Sequence, residues 1–243
     1  MGWYSSELAA PLLKSAAPSG LSAWLTDRLA RKPSGKTSQE LYSDPVHHRP
    51  NFKLIQQVLN LKPEDKLLEV GCGGGAFLEE ALRSGCSAWA IDQSRDMVSV
   101  ATSVNARATE EGRLKIVHCD ASHIPFPDAM FNYAVMSGVL QFLSEPVATF
   151  REILRTLKPG GLLVVTSSTK ELRGTPAAPE PIANYLRYYE DNELESLAKL
   201  SGFSEVTVSR PDMTELARKS GIPDSELPLY GGNYGQLLIA RKK

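Results

Sequence analysis

The chain has little of what marks a metal-binding, membrane or nucleic-acid-binding protein. Its 243 residues include only three cysteines, Cys72, Cys86 and Cys119, and their spacing fits no metal-ligand pattern. The formal net charge is −1 and the basic residues form no run, which argues against nucleic acid as a partner. No apolar run is long enough to span a bilayer, and no basic stretch with a hydrophobic segment behind it opens the chain. These absences predict a cytoplasmic protein with no metal and no membrane contact.

What the sequence does contain is typical of one α/β domain with an appendage. Apolar residues make up 42% of the chain and charged residues 23%, as in ordinary globular proteins. Residues 1–50 do not resemble the start of a sheet, since Leu21, Trp24, Leu25 and Leu29 share one helical face. We predict an N-terminal helical cap over residues 1–50 and a main domain over residues 51–243. A partly disordered tail is the alternative for residues 1–50.

The most informative stretch joins a short apolar run to a cluster of glycines. Leu67-Leu68-Glu69-Val70 is followed by Gly71-Cys72-Gly73-Gly74-Gly75, after which a helical pattern begins. Such a short run, bounded by turn residues, is expected of a strand buried on both faces of a parallel sheet. The glycines let the backbone bend sharply and approach a ligand without a Cβ in the way. The stretch predicts a nucleotide-binding turn, and by itself it also satisfies the dinucleotide fingerprint G-x-G-x-x-A, with Asp92 placed for a ribose.

Downstream of Lys66, strand and helix patterns alternate, which predicts a parallel sheet with crossover helices. We expect strands near 66–71, 87–92, 114–118, 131–137, 161–167, 203–209 and 234–241. Helices are expected near 51–60, 75–84, 95–108, 146–157 and 191–201, with a further helical stretch near 212–220. Lys158-Pro159-Gly160-Gly161 is expected to end the helix near 146–157, because proline cannot continue a helix and glycine supplies the turn.

Two aspartates end predicted strands, on the side where such sheets bind ligands. Asp92 ends the second strand, where a carboxylate can accept hydrogen bonds from both hydroxyls of a ribose. The alternative for Asp92, or for Ser94, is to cap the following helix. Asp120 ends the third strand, and Met97, one turn into the helix near 95–108, either packs against a base or belongs to the core.

Taken in order, these motifs resemble the class I S-adenosylmethionine-dependent methyltransferases, in the branch of the ubiquinone and menaquinone biosynthesis methyltransferases with a methyltransferase type 11 domain. The glycine turn with Glu69 is similar to the motif E/D-x-G-x-G-x-G. The stretch from Ala121 to Asp128 resembles A-x-x-L-P-F-x-D, and Leu157-Lys158-Pro159-Gly160-Gly161 precedes the fifth strand. The resemblance covers roughly residues 50–205. It disfavours the dinucleotide interpretation, because dehydrogenases do not require an acid at position 120.

The resemblance implies a Rossmann-like, doubly wound sheet with strand order 3-2-1-4-5-7-6 and an antiparallel last strand. It also implies S-adenosylmethionine as the cofactor and S-adenosylhomocysteine as its product. Glu69 would bind the methionine amino group, Asp92 the ribose and Asp120 the adenine amino group. The full set of expected cofactor contacts is Glu69, Gly71, Cys72, Gly73, Gly75, Asp92, Gln93, Met97, Asp120, Ala121 and Ser137.

The side of the site that would hold a methyl acceptor is less clearly marked. Where family members often have V-L-H-H or V-L-E-H, this chain has Val139-Leu140-Gln141-Phe142, so no general base stands there. Histidine is the usual proton acceptor near neutral pH, and tyrosines suit either a pocket wall or packing. The long 210–233 connection either closes the site or is a surface insertion. The candidate acceptor contacts are His47, His48, Gln141, Tyr185, Tyr188 and Tyr230.

We therefore expect methyl transfer to an O, N or C atom of a small molecule, by a monomer or a homodimer without a nucleic-acid partner. Two alternatives remain: a methyltransferase that acts on RNA or protein, and a binding module that holds the cofactor without catalysis. The near-neutral charge and the lack of an N/D-P-P-Y/F motif disfavour the first. The intact glycine turn and Asp92 disfavour the second.

Overall fold

The short apolar runs of the sequence form the strands of one sheet. The computed structural model of the protein describes residues 31–175, 177–178, 180 and 182–243. The helical face predicted from Leu21, Trp24, Leu25 and Leu29 lies outside the described residues. The strands are β1 (Lys66–Val70), β2 (Ser87–Asp92), β3 (Leu114–His118), β4 (Phe131–Ser137), β5 (Leu157–Ser168), β6 (Glu205–Ser209) and β7 (Gly235–Arg241).

Helices connect these strands and flank the sheet. They are α1 (Lys36–Ser43), α2 (Arg49–Leu59), α3 (Ala76–Ala81), α4 (Arg95–Val104), α5 (Ala106–Glu110), α6 (Pro146–Thr156), α7 (Asp191–Leu200) and α8 (Thr214–Lys219). Short 3-10 turns lie at Val46–His48, Leu82–Ser84, Leu140–Phe142, Lys170–Leu172, Ile182–Tyr185 and Leu227–Tyr230. Within the described part of the chain, every helix is too short or too polar to cross a bilayer.

The strand order confirms the predicted fold class. The order is β3-β2-β1-β4-β5-β7-β6, and β7 runs antiparallel to both of its neighbours, β5 and β6. The pairs β1–β2, β1–β4, β2–β3 and β4–β5 are parallel. Strands β2 and β3 lie on one side of β1 and strand β4 lies on the other, so the direction in which successive strands are added reverses between β1 and β4. Ligands bind beside the carboxyl ends of the strands at such a switch point.

The predicted helices differ from the structure in two details. The helix expected over 95–108 is interrupted at Asn105, whose side-chain amide donates to Gly75 O and Ala101 O at 3.0 Å each. The helix expected to reach residue 157 ends at Thr156, and Lys158-Pro159-Gly160-Gly161 lies within β5 instead of in a turn. That segment becomes strand because it pairs with the last residues of the chain: Lys242 N donates to Gly161 O at 2.9 Å.

The sheet separates two hydrophobic layers. Successive residues of a strand face opposite sides, so Leu67 packs in the layer of α2 and α3, with Phe52 and Phe77. Leu68 packs in the other layer, with Phe150 of α6. All five of these side chains are almost fully buried. Hydrophobic packing on both faces of the sheet therefore holds the strands in place. The carboxyl ends of the parallel strands consequently meet at one edge of the sheet.

The segment between β6 and β7 packs against the residues that precede α2. Its helix α8 contacts α2, and buried Leu227 and Tyr230 form a small apolar cluster with partly buried Val46. The hydroxyl of Tyr230 donates to His47 O at 3.1 Å. This predicted loop is therefore partly helical, and it holds the 3-10 turn Val46–His48 in place.

Candidate functional site

A cavity of about 540 Å³ lies at the carboxyl ends of β1, β2 and β4. Its floor is the turn after β1, from Gly71 to Gly74, together with Glu69 and Asp92. One wall is the loop after β4, and another is residues 119–121 after β3. N-terminal residues, among them Tyr42 and His48, line it from outside the sheet. The volume is in the range of small-molecule sites.

The turn after β1 is hydrogen-bonded to the neighbouring strand β2. The amides of Gly71 and Cys72 both donate to Ile91 O, at 2.8 and 3.1 Å. Gly71 has φ +75°, and a Cβ there would lie 2.4 Å from Cγ2 of Val139. The loop after β4 therefore closes directly over the turn, and only glycine allows that approach.

Helix α1 ends against the same turn. A Cβ on Gly74 would lie 2.0 Å from the carbonyl oxygen of Tyr42, and one on Gly73 would lie 3.3 Å from the Tyr42 ring. Burial raises the pKa of the Tyr42 hydroxyl, and the charge of Asp92 adds to the effect. The N-terminal segment thus lines part of the cavity, and no motif in the sequence marks Tyr42 as a site residue.

Asp92 shapes the loop after β2. It is 8% exposed; Oδ2 accepts from Gly73 N at 2.9 Å and Oδ1 from Ser94 N at 2.8 Å. Burial raises its pKa, although the amide hydrogen bonds act in the opposite direction. Ser94, rather than Asp92, is the N-cap of α4, with its Oγ accepting from Met97 N at 3.3 Å. Each carboxylate oxygen of Asp92 keeps lone-pair capacity for a further donor.

Glu69 is a buried acid with an unpartnered oxygen. It is 3% exposed, and no described residue bonds to its Oε2. Burial raises its pKa well above the usual range, and the negative charge of Asp92 adds to the effect. Such an oxygen costs free energy unless a donor reaches it. A cationic group in the cavity would supply the missing donor, so the residues fit a ligand with an ammonium group.

Asp120 presents an ionised carboxylate at the end of β3. It is exposed, and its Oδ1 accepts from Ser122 N at 2.8 Å and from Ser122 Oγ at 2.7 Å. These two hydrogen bonds lower its pKa. Together with Ala121 and Gln93 it lines the cavity on the side away from Glu69. Among the residues that the structure describes, no group of three His, Cys, Asp or Glu side chains is placed to hold a metal ion.

The stretch of residues 31–35, here called the strap, is bonded to the loop that carries Asp92. Gln93 Nε2 donates to Arg31 O and Ser94 Oγ donates to Pro33 O, both at 2.5 Å. Gly35 N donates to Asp96 Oδ2 at 2.7 Å. These residues had no motif to mark them in the sequence, because their contacts are made through the backbone.

Most of the expected cofactor contacts come together at this cavity. Those that line it are Glu69, Gly71, Cys72, Gly73, Asp92, Gln93, Asp120, Ala121 and Ser137. Burial raises the pKa of the Cys72 thiol well above its usual range, so Cys72 is a neutral wall residue. Gly75 and Met97 do not line the cavity. A Cβ on Gly75 would lie 2.9 Å from Ala101 Cα, and Met97 is fully buried in the core.

The candidate acceptor contacts divide into two groups. His48, Gln141 and Tyr185 line the cavity. His47, Tyr188 and Tyr230 do not: Tyr230 bonds to His47, and burial raises the pKa of the Tyr188 hydroxyl to about 12. Arg187 also lines the cavity, and its amide donates to Gln141 O at 3.2 Å.

Known sequences resemble this chain across the glycine turn and the strands that follow. Residues 68–165 match the methyltransferase domain family. Demethylmenaquinone methyltransferase of Staphylococcus saprophyticus is 28% identical over 126 residues, which cover 51% of this chain and 53% of that protein. Phosphoethanolamine N-methyltransferase 2 of Caenorhabditis elegans is 27% identical over 179 residues, 71% of this chain and 40% of that protein. The chain thus spans about half or less of the length of these relatives.

Solved structures share the fold. The [4+2]-cyclase SpnF has a TM-score of 0.60 and 25% identity, over 79% of this chain and 80% of that one. Phosphoethanolamine N-methyltransferase 2 of Haemonchus contortus, solved with S-adenosyl-L-methionine, has a TM-score of 0.68 over 90% of this chain and 60% of that one. At 19% identity the second likeness concerns the fold alone.

Proposed function

Since the chain belongs to the class I S-adenosylmethionine-dependent methyltransferases, we propose that it transfers the methyl group of S-adenosylmethionine to a small molecule. One observation carries the proposal. A buried carboxylate oxygen of Glu69, to which no residue in the described ranges bonds, lies beside a glycine turn at the switch point of the sheet. The ammonium group of the cofactor's methionine part is a donor of the right charge for it.

Other residues that line the same cavity would bind the remaining parts of the cofactor. Asp92 offers its remaining lone pairs to the ribose hydroxyls, and the ionised Asp120 accepts from the adenine amino group. The amide of Ala121 donates to the adenine ring. Gly71, Cys72 and Gly73 bring backbone, and no bulky side chain, against the methionine and ribose parts.

Most of the catalysis in this proposal is orientation. The cofactor supplies a methyl group that is already activated by its sulfonium. The residues of the chain hold the acceptor in line with the methyl–sulfur bond and keep water out. Orientation of this kind contributes on the order of 7–11 kcal/mol to lowering a barrier. Tyr42 and strap residues 31–33 line the cavity on its N-terminal side, and in this proposal they help to keep water from the reacting groups.

A small-molecule acceptor fits the cavity better than a macromolecular one. Tyr42, His48 and Tyr185 wall the cavity from different segments, and its volume of about 540 Å³ is in the usual range for small ligands. The formal net charge of −1 gives no electrostatic attraction for RNA. The cyclase with the same fold shows that this architecture also hosts reactions other than methyl transfer. Formation of S-adenosylhomocysteine must therefore be measured directly.

The experiment that tests the proposal is a thermal-unfolding series with S-adenosylmethionine, S-adenosylhomocysteine and NAD. A ligand at 100 times its dissociation constant adds about 2.7 kcal/mol to stability and raises Tm. We expect both adenosyl ligands to raise Tm and NAD to have no effect. The Asp92→Asn variant should lose most of the shift, because its amide presents one acceptor oxygen in place of two.

Asp92→Asn is preferred to Asp92→Ala because it keeps an oxygen for Gly73 N or Ser94 N, and with it much of the loop. Asp128→Asn, an exposed aspartate outside the cavity, serves as the control and should keep the full shift. A rise in Tm with NAD alone would reassign the glycine turn to a dinucleotide. Ligand binding without release of S-adenosylhomocysteine in any acceptor screen would favour the non-catalytic module.

A further inference from the structure

We propose that His48 is the catalytic base that takes a proton from the methyl acceptor, and that the acceptor therefore carries an O–H or N–H group. The inference rests on the proposed function and deepens it. Nothing in the sequence motifs assigns a base, and the usual polar position after β4 carries Gln141. The base comes instead from the 3-10 turn that precedes α2.

The geometry places the His48 ring against the loop after β4. A Cβ at Gly138 would lie 3.5 Å from Cε1 of His48 and 3.7 Å from its Nδ1. The ring stacks on Phe52 with 6.2 Å between centroids and 22° between planes, and Phe52 itself is almost fully buried. The imidazole is thus held in one place beside the end of β4, next to the turn that would hold the methionine part of the cofactor.

The imidazole is neutral and has an unused nitrogen. Nε2 is buried, and nothing in the described part of the chain forms a hydrogen bond with it. Burial keeps the pKa of His48 well below its usual range, and the adjacent His47 lowers it further. In either tautomer a neutral imidazole has one bare nitrogen that can accept a proton.

A second buried atom without a partner among the described residues belongs to the loop after β4. Gln141 lines the cavity, and its Oε1 is buried with no partner among the described residues. With the proton of His48 on Nδ1, its Nε2 and the Oε1 of Gln141 are two acceptor atoms without a partner among the described residues, and a ligand that brings hydrogen-bond donors would satisfy them. A hydroxyl or an amine meets that need, whereas a carboxylate or a thioether does not.

His47, the residue before His48 in the chain, has a different role from His48. In a 3-10 turn successive side chains point about 120° apart, so the two imidazoles face different surroundings. Tyr230 bonds to the carbonyl of His47, and Glu226 Oε2 lies 3.4 Å from Nδ1 of His47. His47 is therefore a positioning residue: it fastens the turn to the segment between β6 and β7, and thereby orients His48.

The proposed step moves one proton and one methyl group. The acceptor X–H gives its proton to the bare nitrogen of His48, and the electron pair left on X forms the new bond to the methyl carbon. The methyl–sulfur bond breaks with its electron pair going to sulfur, which converts the sulfonium to the neutral thioether of S-adenosylhomocysteine. The imidazolium then releases its proton to solvent.

The test places a permanent positive charge at position 48. S-adenosylmethionine carries a sulfonium charge that S-adenosylhomocysteine lacks, while the rest of the two molecules differs only by the methyl group. If His48 faces the methyl group, the His48→Arg variant should weaken binding of S-adenosylmethionine relative to S-adenosylhomocysteine by about tenfold or more in calorimetry, through repulsion between like charges. The neutral His48→Gln variant should leave that ratio as in wild type.

His123→Arg, at an exposed position outside the cavity lining, is the matched control and should not change the ratio. His48→Lys repeats the test with a slimmer cation in case the arginine variant does not fold. If wild type binds neither adenosyl ligand, the proposed function itself fails. If wild type binds both and the ratio stays constant in the cationic variants, the inference about His48 is overturned while the proposed function stands.

A catalytic measurement completes the test. With any acceptor that the wild type methylates, kcat of the His48→Gln variant should fall by about 10²–10⁴-fold, the usual effect of losing a general base. Its affinity for S-adenosylhomocysteine should remain that of wild type. An unchanged kcat, or an acceptor with no O–H or N–H at the methylated atom, would overturn the inference.

Discussion

Glu69 illustrates how a single residue can lower the stability of the empty protein in order to bind a ligand. Its side chain is buried, none of the described residues bonds to its Oε2, and its pKa is raised well above the usual range by burial and by Asp92. The ionised form is therefore disfavoured in the folded protein. Its destabilising effect is absent below the pKa of the unfolded chain and grows as pH rises through the folded pKa.

The Glu69→Gln variant should consequently be more stable than wild type at neutral pH and bind worse. We expect a rise in Tm of a few degrees without ligand, since about 1 kcal/mol corresponds to roughly 2–4 °C for a chain of this size. The gain should disappear toward pH 4. Affinity for S-adenosylhomocysteine should fall by about 10–100-fold, because a hydrogen bond to a charged group is worth roughly 1.5–3 kcal/mol.

The measurements are a Tm series between pH 4 and pH 8 and calorimetry at pH 7.5. Glu79→Gln, an exposed glutamate on α3, is the control and should show neither effect. A lower Tm for Glu69→Gln in the empty protein would mean that Glu69 has a stabilising partner after all.

At the residue scale, most of the residues predicted for the cofactor line the cavity, whereas only His48, Gln141 and Tyr185 of those predicted for the acceptor do so. Glu69, Asp92 and Asp120 follow strands or a glycine turn, so their position in the chain fixes their position on the sheet edge. His47 and His48 lie in a 3-10 turn whose orientation is set by Tyr230, more than 180 residues away in the chain. No local pattern could tell which of the two faces the cavity.

Among the elements, helix α1 depends most on a single glycine. The end of α1 approaches the turn after β1 so closely that a Cβ on Gly74 would lie 2.0 Å from Tyr42 O. The Gly74→Ala variant should force α1 away from the turn, at a cost of about 1–3 kcal/mol, as in other overpacked sites. Trypsin should then cut at exposed Lys36 faster than in wild type, because local opening is more frequent.

Gly231→Ala provides the matched control. Gly231 has an ordinary φ of −64°, and its added Cβ would meet only Pro228 O at 3.5 Å. This variant should keep the wild-type Tm and cleavage rate. Equal cleavage rates for the two variants would show that α1 does not rest on the turn.

The elements themselves were predictable where the local pattern and the fold agree. The seven strands follow from short apolar runs between turn residues. The exceptions have long-range causes. Asn105 interrupts a helix because its amide bonds to Gly75 O in another element, and β5 begins early because residues 160–161 pair with Lys242. Neither partner lies near in the sequence, so neither effect could be predicted from it.

For the molecule as a whole, two partly buried histidines make the stability depend on pH. Burial is the main cause that lowers the pKa of both His47 and His48. The unfolded chain therefore takes up protons near pH 6.5 that the folded chain does not. The stability that comes from keeping the two histidines neutral is fully present above pH 6.5. It is lost as pH falls from there toward the pKa values that the two histidines have in the folded protein.

The Tm of wild type should accordingly fall below that of His48→Gln as the solution is acidified from pH 7 to pH 5. The difference in unfolding free energy should change by up to about 1.4 kcal/mol per pH unit. The raised pKa values of Glu69 and Asp92 act in the opposite direction, but they are common to both proteins and cancel in the difference. A difference that stays constant over this range would contradict a buried neutral His48.

The buried acid at the base of the cavity makes ligand binding depend on pH. If Glu69 carries a proton when the cavity is empty and loses it when an ammonium group arrives, the site exchanges one cation for another. Each binding event then releases hydrogen ion to the medium, and the heat that accompanies it includes the ionisation heat of whichever buffer absorbs that ion. By mass action, a higher concentration of hydrogen ions then weakens binding of the cofactor, because a proton on Glu69 competes with the ammonium group of the cofactor.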